Sequence, residues 1–319
     1  MGTLTARIGA AWSDGGDGIG TRTLKALDAV AGAAELDAVT GPLRNAVRGL
    51  PLGRLRGVLH GRPIGHPLHP ALVQLPLGAW LSAAVLDLVP GSERAARLLV
   101  AVGVVTAAPA ALAGWVDWAE QHDQQMRTGL LHAASIAAGV GLYGASWAAR
   151  SRGRDGLGRI LGFAGLTAVG AGAAVGGHLA HRQAAGANKA EPVLHLVEPG
   201  WHTLGRTEEF TIDQAMRRAV GEVPVLVVRE SENVFHVLAD QCSHAAGPLS
   251  GGKVTDGCVT CPWHGSVFRL SDGWNIDGPA TAPQPRFITR TDAHSNLQVR
   301  LPEAGRPAKQ VAGRQRMGP

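Results

Sequence analysis

Cysteine is scarce in this chain: three residues in 319 are too few for a disulfide scaffold. Cys242 and Cys261 have a use developed below, Cys258 reads as an unpaired core residue, and the set fits a reducing compartment. Neither a cleavable signal peptide nor a twin-arginine stretch precedes the first apolar segment. Excess charge is small as well, +5 from 30 Lys and Arg against 25 Asp and Glu. The arginines sit in short loops beside apolar segments rather than along one polar face, so they read as membrane loops, and no nucleic-acid partner is expected.

What is present divides the chain in two. Residues 64–181 are dominated by Ala, Gly, Leu and Val, whereas 191–303 mix Val, Thr, Asp, Glu, Arg and Pro as a soluble β domain does. The expected fold class is two-domain α plus β, a four-helix transmembrane bundle followed by an all-β sandwich. Its expected divisions are an N-terminal tail and amphipathic helix over 1–60, the membrane domain over 61–185, a linker over 186–191, the β domain over 192–303 and a disordered tail over 304–319. The first 20 residues are Gly-rich and read as a flexible tail; Leu24, Leu27, Val30, Ala31 and Ala34 then recur at helical spacing until Gly41-Pro42 ends the helix. Apolar stretches at 68–89, 98–116, 129–149 and 160–180 follow. At about 1.5 Å per residue, each is long enough to cross a hydrocarbon layer of roughly 30 Å. Gly158 with Gly162, and Gly172 with Gly176, place small residues four apart, the spacing that lets helix backbones approach closely.

In the β half, strand-like runs at Val223–Val228, Val234–Ala239, Cys258–Thr260, Ser266–Leu270, Arg286–Thr289 and Leu297–Leu301 alternate with Gly, Pro, Asn and Asp clusters. Cys242-Ser243-His244 is followed, after 16 intervening residues, by Cys261-Pro262-Trp263-His264-Gly265-Ser266-Val267-Phe268. Two loops that each offer one thiolate and one imidazole can cap a two-iron cluster, both Cys on one iron and both His on the other. The alternative is a zinc ion, but zinc sites usually pair like with like, as C-x2-C and H-x3-H. With Gly247-Pro248-Leu249 and Gly278-Pro279-Ala280, the pattern resembles the Rieske ferredoxin family over about 192–303. That resemblance implies one [2Fe–2S] cluster per chain, with Cys242, His244, Cys261 and His264 as ligands and Ser266 as a hydrogen-bond donor to a bridging sulfide. Rieske proteins of the quinol-oxidising complexes add an inter-loop disulfide and a tyrosine; this chain holds Gly247 and Trp263 at the disulfide positions and Phe268 at the tyrosine. The expected potential is therefore below that class.

The membrane half carries a second constellation. His66-Pro67-Leu68-His69-Pro70 opens the first apolar stretch, Trp115, Asp117, Trp118 and His122 end the second, His132 starts the third, and His178 and His181 end the fourth. The opening, with Leu75-Pro76-Leu77-Gly78, resembles an uncharacterised family of small four-helix bacterial membrane proteins over roughly 60–182. His69, His132 and His178 are candidates for haem b or a quinone, set against plain interfacial anchoring of helix ends. His60, His195, His202, His236 and His294 read as ordinary loop or strand residues. Seven basic residues on the His-rich side face six arginines on the other, so charge does not orient the bundle.

These features lead to an integral protein of the bacterial plasma membrane, its Rieske domain cytoplasmic. It is read as transferring single electrons between an unidentified donor and acceptor, with quinone a candidate partner beside the lipid bilayer. A redox sensor or assembly factor fits the sequence equally. A Rieske oxygenase fits less well: it adds a large domain with a 2-His-1-carboxylate iron site, and only 16 residues, none of them His, follow Glu303.

Overall fold

The computed structural model describes residues 19–302, so the expectations for the extreme N-terminus and for 304–319 lie outside the described residues. A helical N-terminal region leads into a β domain, and contacts group the chain into two compact units.

The first unit comprises residues up to Leu50, Leu75–Ala107 and Gln121–Ala185. It holds α1 (Ile19–Gly32), α2 (Asp37–Arg48), most of α5 (Gln74–Leu86), the start of α6 (Glu93–Trp118), α7 (Asp123–Ser151) and α8 (Asp155–His181). Gly41-Pro42 does not end a helix: α2 runs through it. Proline's fixed φ suits a helix and forfeits one backbone bond, and the Asp37 carboxylate, accepting two bonds from Arg127 at 2.6 and 2.8 Å, anchors the start of α2. The glycines of α8 serve close approach. A Cβ on Gly165 would lie 3.0 Å from the Tyr143 ring, and one on Gly172 would lie 2.7 Å from Ile136. Trp80 stacks on Tyr143 at 4.3 Å. At one end of the core Arg150 donates to both oxygens of Asp87, at 2.7 and 2.6 Å.

Among the described residues, three segments are long and apolar enough to span a membrane: Leu68–Leu86, Glu93–Trp118 and Asp155–His181. No more than a third of the most apolar window of any of them is buried. Leu88, Leu98, Val105 and Ile160 are each more than 60% exposed, a cost in water that hydrocarbon removes. The stretch at 129–149 lies inside the 29-residue α7, which is not among the three.

The second unit comprises Pro51–Gln74, Ala108–Glu120 and the chain from Gly186 onward. Its helical part contains α3 (Leu55–Leu59), α4 (Leu68–Leu72) and the end of α6, packed around Leu59, Ala113 and Val116. After the short α9 (Val193–Leu196), the described residues form ten strands in two antiparallel sheets. The first contains β1 (His202–Arg206), β2 (Ala215–Val220), β3 (Val223–Ser231), β4 (Val234–Ala239), β9 (Arg286–Thr291) and β10 (Asn296–Arg300), in the order β1-β10-β9-β4-β3-β2. The second runs β5 (Lys253–Thr255), β6 (Cys258–Thr260), β7 (Val267–Arg269), β8 (Asn275–Asp277). Strand β3 reads as an unbroken apolar run because both its faces are covered: Val225 and Val227 point into one core, Leu226 and Val228 into the other. The second core includes Cys242 and Cys261. Residues 186–191, expected as a linker, are tied down: the Lys189 N–H donates to the Ser243 carbonyl at 2.9 Å, and Ala190 is fully buried.

Candidate metal centre

Two loops of the β domain have nearly the same backbone. In the first, after β4, the Cys242 N–H donates to the Gly247 carbonyl and the Ala246 N–H to the Cys242 carbonyl, both at 2.9 Å. In the second, between β6 and β7, the Cys261 N–H donates to the Ser266 carbonyl at 2.8 Å and the Gly265 N–H to the Cys261 carbonyl at 3.1 Å. Each closes through a positive φ four residues after its cysteine, 65° at Ala246 and 71° at Gly265. The different spacings C-x-H and C-x2-H therefore sit on one loop design, each offering a sulfur inward and an imidazole outward.

The supports are buried and polar. Gln284 donates to the carbonyls of Ala239 and Gln241 at 2.9 and 2.6 Å and accepts the Ser243 N–H at 2.9 Å, so it holds the base of the first loop. Asp240 accepts from the N–H and hydroxyl of Ser250 at 2.6 and 2.9 Å. A third segment closes over the second loop. At Gly278, with φ 85°, a Cβ would lie 2.6 Å from the Ser266 Cα, and the Ala280 N–H donates to Ser266 Oγ at 3.1 Å. Asn275 fixes that segment by donating to the Ala280 carbonyl at 3.0 Å. Sequence reasoning missed Gln284, Asp240 and Asn275, because single amides and carboxylates in loops carry no spacing signature.

The four candidate side chains come together in two pairs. Cys242 and Cys261 are buried and share a hydrogen bond that brings the Cys261 thiol down to about 6 and pushes Cys242 up; burial adds to the rise at Cys242. Backbone N–H groups of Trp263 and His264 also favour the Cys261 thiolate, and those of His244 and Ala245 favour a thiolate at Cys242. The His244 and His264 rings lie edge to face, 5.0 Å between centroids, and are half-buried. Among the described residues no three His, Cys, Asp or Glu side chains gather as a single metal ion would require. Two buried sulfurs in a cradle of N–H groups, beside two imidazoles, fit a group with two metals and bridging anions.

A family model described as the Rieske [2Fe–2S] domain matches residues 200–290. An anthranilate 1,2-dioxygenase ferredoxin subunit from Burkholderia cepacia is 40% identical over 83 residues, which is 26% of this chain and 76% of that protein. The chain belongs to the Rieske [2Fe–2S] family. Its Rieske domain is an electron-transfer module that carries a [2Fe–2S] cluster. Apoptosis-inducing factor 3 from Mus musculus is similar over 90 residues at 43% identity, 28% of this chain but only 15% of that protein. Among solved structures, the ferredoxin of carbazole 1,9a-dioxygenase from Nocardioides aromaticivorans IC177 is matched over 32% of this chain and 98% of that one, at 19% identity and a TM-score of 0.30. A second family model, a predicted membrane protein (DUF2231), covers residues 65–189. The Rieske domain is thus fused to a membrane domain.

In the membrane half the histidines take separate positions. His69 Nδ1 donates to the Ala110 carbonyl at 2.8 Å, and His132 Nδ1 donates to the Gly172 carbonyl at 2.7 Å. His178 is buried, and its Nε2 has no hydrogen-bond partner among the described residues, whereas His181, three residues on, is exposed. His60, expected as an ordinary loop residue, is 3% exposed and donates through Nδ1 to Asp117 Oδ1 at 2.8 Å. The two are 57 residues apart, so no local spacing could announce them.

Proposed function

We propose that this chain is a membrane-tethered carrier of single electrons, in which Cys242 and Cys261 bind one iron of the cluster and His244 and His264 the other. The observation that carries this reading is the two-and-two grouping, sulfurs buried side by side and imidazoles side by side at the half-exposed edge. When bound, the cluster takes up and gives up one electron, in a range of about −150 to +300 mV rather than the roughly −400 mV of plant-type ferredoxins.

The chain's own residues place it within that range. Ser266 is buried, and its oxygen already accepts the Ala280 N–H, which leaves its own proton to be donated to a bridging sulfide and so favours the reduced state. Phe268 is fully buried and has no hydroxyl with which to add a second such bond. The potential therefore falls below that of the quinol-oxidising class. Buried sulfurs exclude water, and electrons enter and leave by the imidazole edge, beside the half-exposed Trp263.

The membrane domain, 61–185, crosses a bacterial plasma membrane four times, α7 making the crossing that its composition signals weakly, and residues 186–191 lead to the Rieske domain, 192–303, on the cytoplasmic side. A soluble donor reduces the cluster and a membrane quinone accepts the electron. A second reading has one specific observation behind it: the buried Nε2 of His178, without a hydrogen-bond partner among the described residues, suits an axial ligand of haem b. A Soret band in purified protein, lost in His178→Ala, supports it; no Soret band removes it. For the main reading, Cys261→Ser abolishes both the cluster spectrum and electron delivery, and activity that survives the change contradicts it.

A further inference from the structure

The His60–Asp117 pair lies outside the cluster loops and has no part in holding them. Asp117 sits at the end of the candidate span Glu93–Trp118, at the depth where a membrane helix meets water. Trp115 and Trp118 pack edge to face beside it, 5.1 Å between centroids. The carboxylate accepts, so His60 Nδ1 carries the proton and Nε2 holds the lone pair.

The surrounding groups are polar and close. His69 on α4 and the buried Glu120, two residues past the end of α6, lie near Asp117. On the segment of His60 itself lie Arg56 and Arg62. Arg62 donates to the Ile276 carbonyl at 2.5 Å and to Asp277 Oδ1 at 2.8 Å. Gly278, which packs on Ser266, is the next residue. Three consecutive residues, His60 to Arg62, therefore connect the buried pair to the segment that closes the cluster loops.

We infer that His60, held by Asp117, is the proton-exchange group of a head-group site for a lipid-soluble quinone. The inference rests on the reading of the chain as a membrane electron carrier. An apolar quinone needs one proton for each electron it receives, and an imidazole oriented by a carboxylate can donate and regain one. Nε2 first takes up a proton from water; in each of two rounds the resulting Nε2–H bond breaks, an O–H bond forms on a quinone oxygen, and the cluster, when bound, would supply one electron. Water returns a proton to Nε2 after each round, and a soluble one-electron donor of the flavin class reduces the cluster again between them. After two rounds the product is the hydroquinone. A potential below that of the quinol-oxidising class favours this direction. Asp117 steadies the imidazolium and fixes its tautomer.

The test uses the full chain in lipid nanodiscs, with an azido-naphthoquinone as photolabel and menadione as electron acceptor. Labelling is expected in peptides containing His60 and Trp115–Trp118, about tenfold weaker in His60→Gln, with the dithionite-reduced EPR spectrum unchanged. Reoxidation of the reduced cluster by menadione is expected to slow about a hundredfold in His60→Gln. Asp117→Asn, which keeps the shape of the pair, is expected to slow it less and serves where His60→Gln does not fold. Absence of label, label elsewhere, or label and rate unchanged in a folded variant overturns the inference. A missing cluster signal with the label retained contradicts the carrier reading and leaves the quinone site standing.

Discussion

Arg150→Met is expected to be among the most damaging single changes in the membrane domain. Arg150 meets both oxygens of Asp87, at 2.7 and 2.6 Å, and its Nε donates to Ser146 Oγ at 3.2 Å. The side chains are 0% and 4% exposed, so removing the guanidinium leaves a carboxylate sealed among helices. Breaking a buried pair from one side costs about 3–5 kcal/mol. Arg159, whose Nε lies 3.9 Å from Asp87 Oδ1, compensates in part and sets the expectation at the lower end. A loss of about 3 kcal/mol is roughly a hundredfold in the folded-to-unfolded ratio. Asp87→Leu with Arg150→Met removes both charges, fills similar volume and is expected within about 1 kcal/mol of wild type, or above it. Titration with SDS in mixed micelles, followed by circular dichroism, gives the comparison. A single variant as stable as wild type, or a double variant no better than the single, refutes the reasoning.

Three further outcomes follow from the geometry. Ser266→Ala removes a hydrogen bond that favours the reduced cluster and is expected to lower the potential by about 60 mV, the equivalent of about 1.4 kcal/mol for one electron, in a spectroelectrochemical titration; an unchanged or higher potential contradicts the donor role. Gly165→Leu, where even a Cβ would lie 3.0 Å from Tyr143 and 3.4 Å from the Gly139 carbonyl, is expected to cost about 1–3 kcal/mol in the same SDS assay, and a neutral result argues against close packing of α7 on α8. Gly278→Ala places a methyl 2.6 Å from the Ser266 backbone at a φ of 85° and is expected to broaden or abolish the cluster EPR signal; a wild-type spectrum refutes the fit of that segment to the loops.

The cluster loops were legible because their chemistry demands particular residue types at short range. Cys242 and His244 are two residues apart, Cys261 and His264 three, and their meeting needed only two antiparallel sheets. Four strands escaped notice: β1, β2, β5 and β8 are short or polar, as in His202–Arg206 and Lys253–Thr255, and take their pairing from neighbours rather than from an apolar alternation. The packing glycines of α8 were readable from spacing, whereas Asp87 with Arg150, 63 residues apart, and His60 with Asp117 were not. Partnerships of that kind are made by tertiary structure alone. Helix α2 passed through Gly41-Pro42 because a proline's cost is local and can be outweighed by anchoring elsewhere.

Pulsed EPR on the dithionite-reduced, full-length protein in membranes tests the central claim most directly. A spin-one-half signal with couplings to two distinct imidazole nitrogens, one of them lost in His244→Cys, is the result this account predicts. A signal without nitrogen coupling, or no signal from protein that binds zinc with the same four residues, contradicts it.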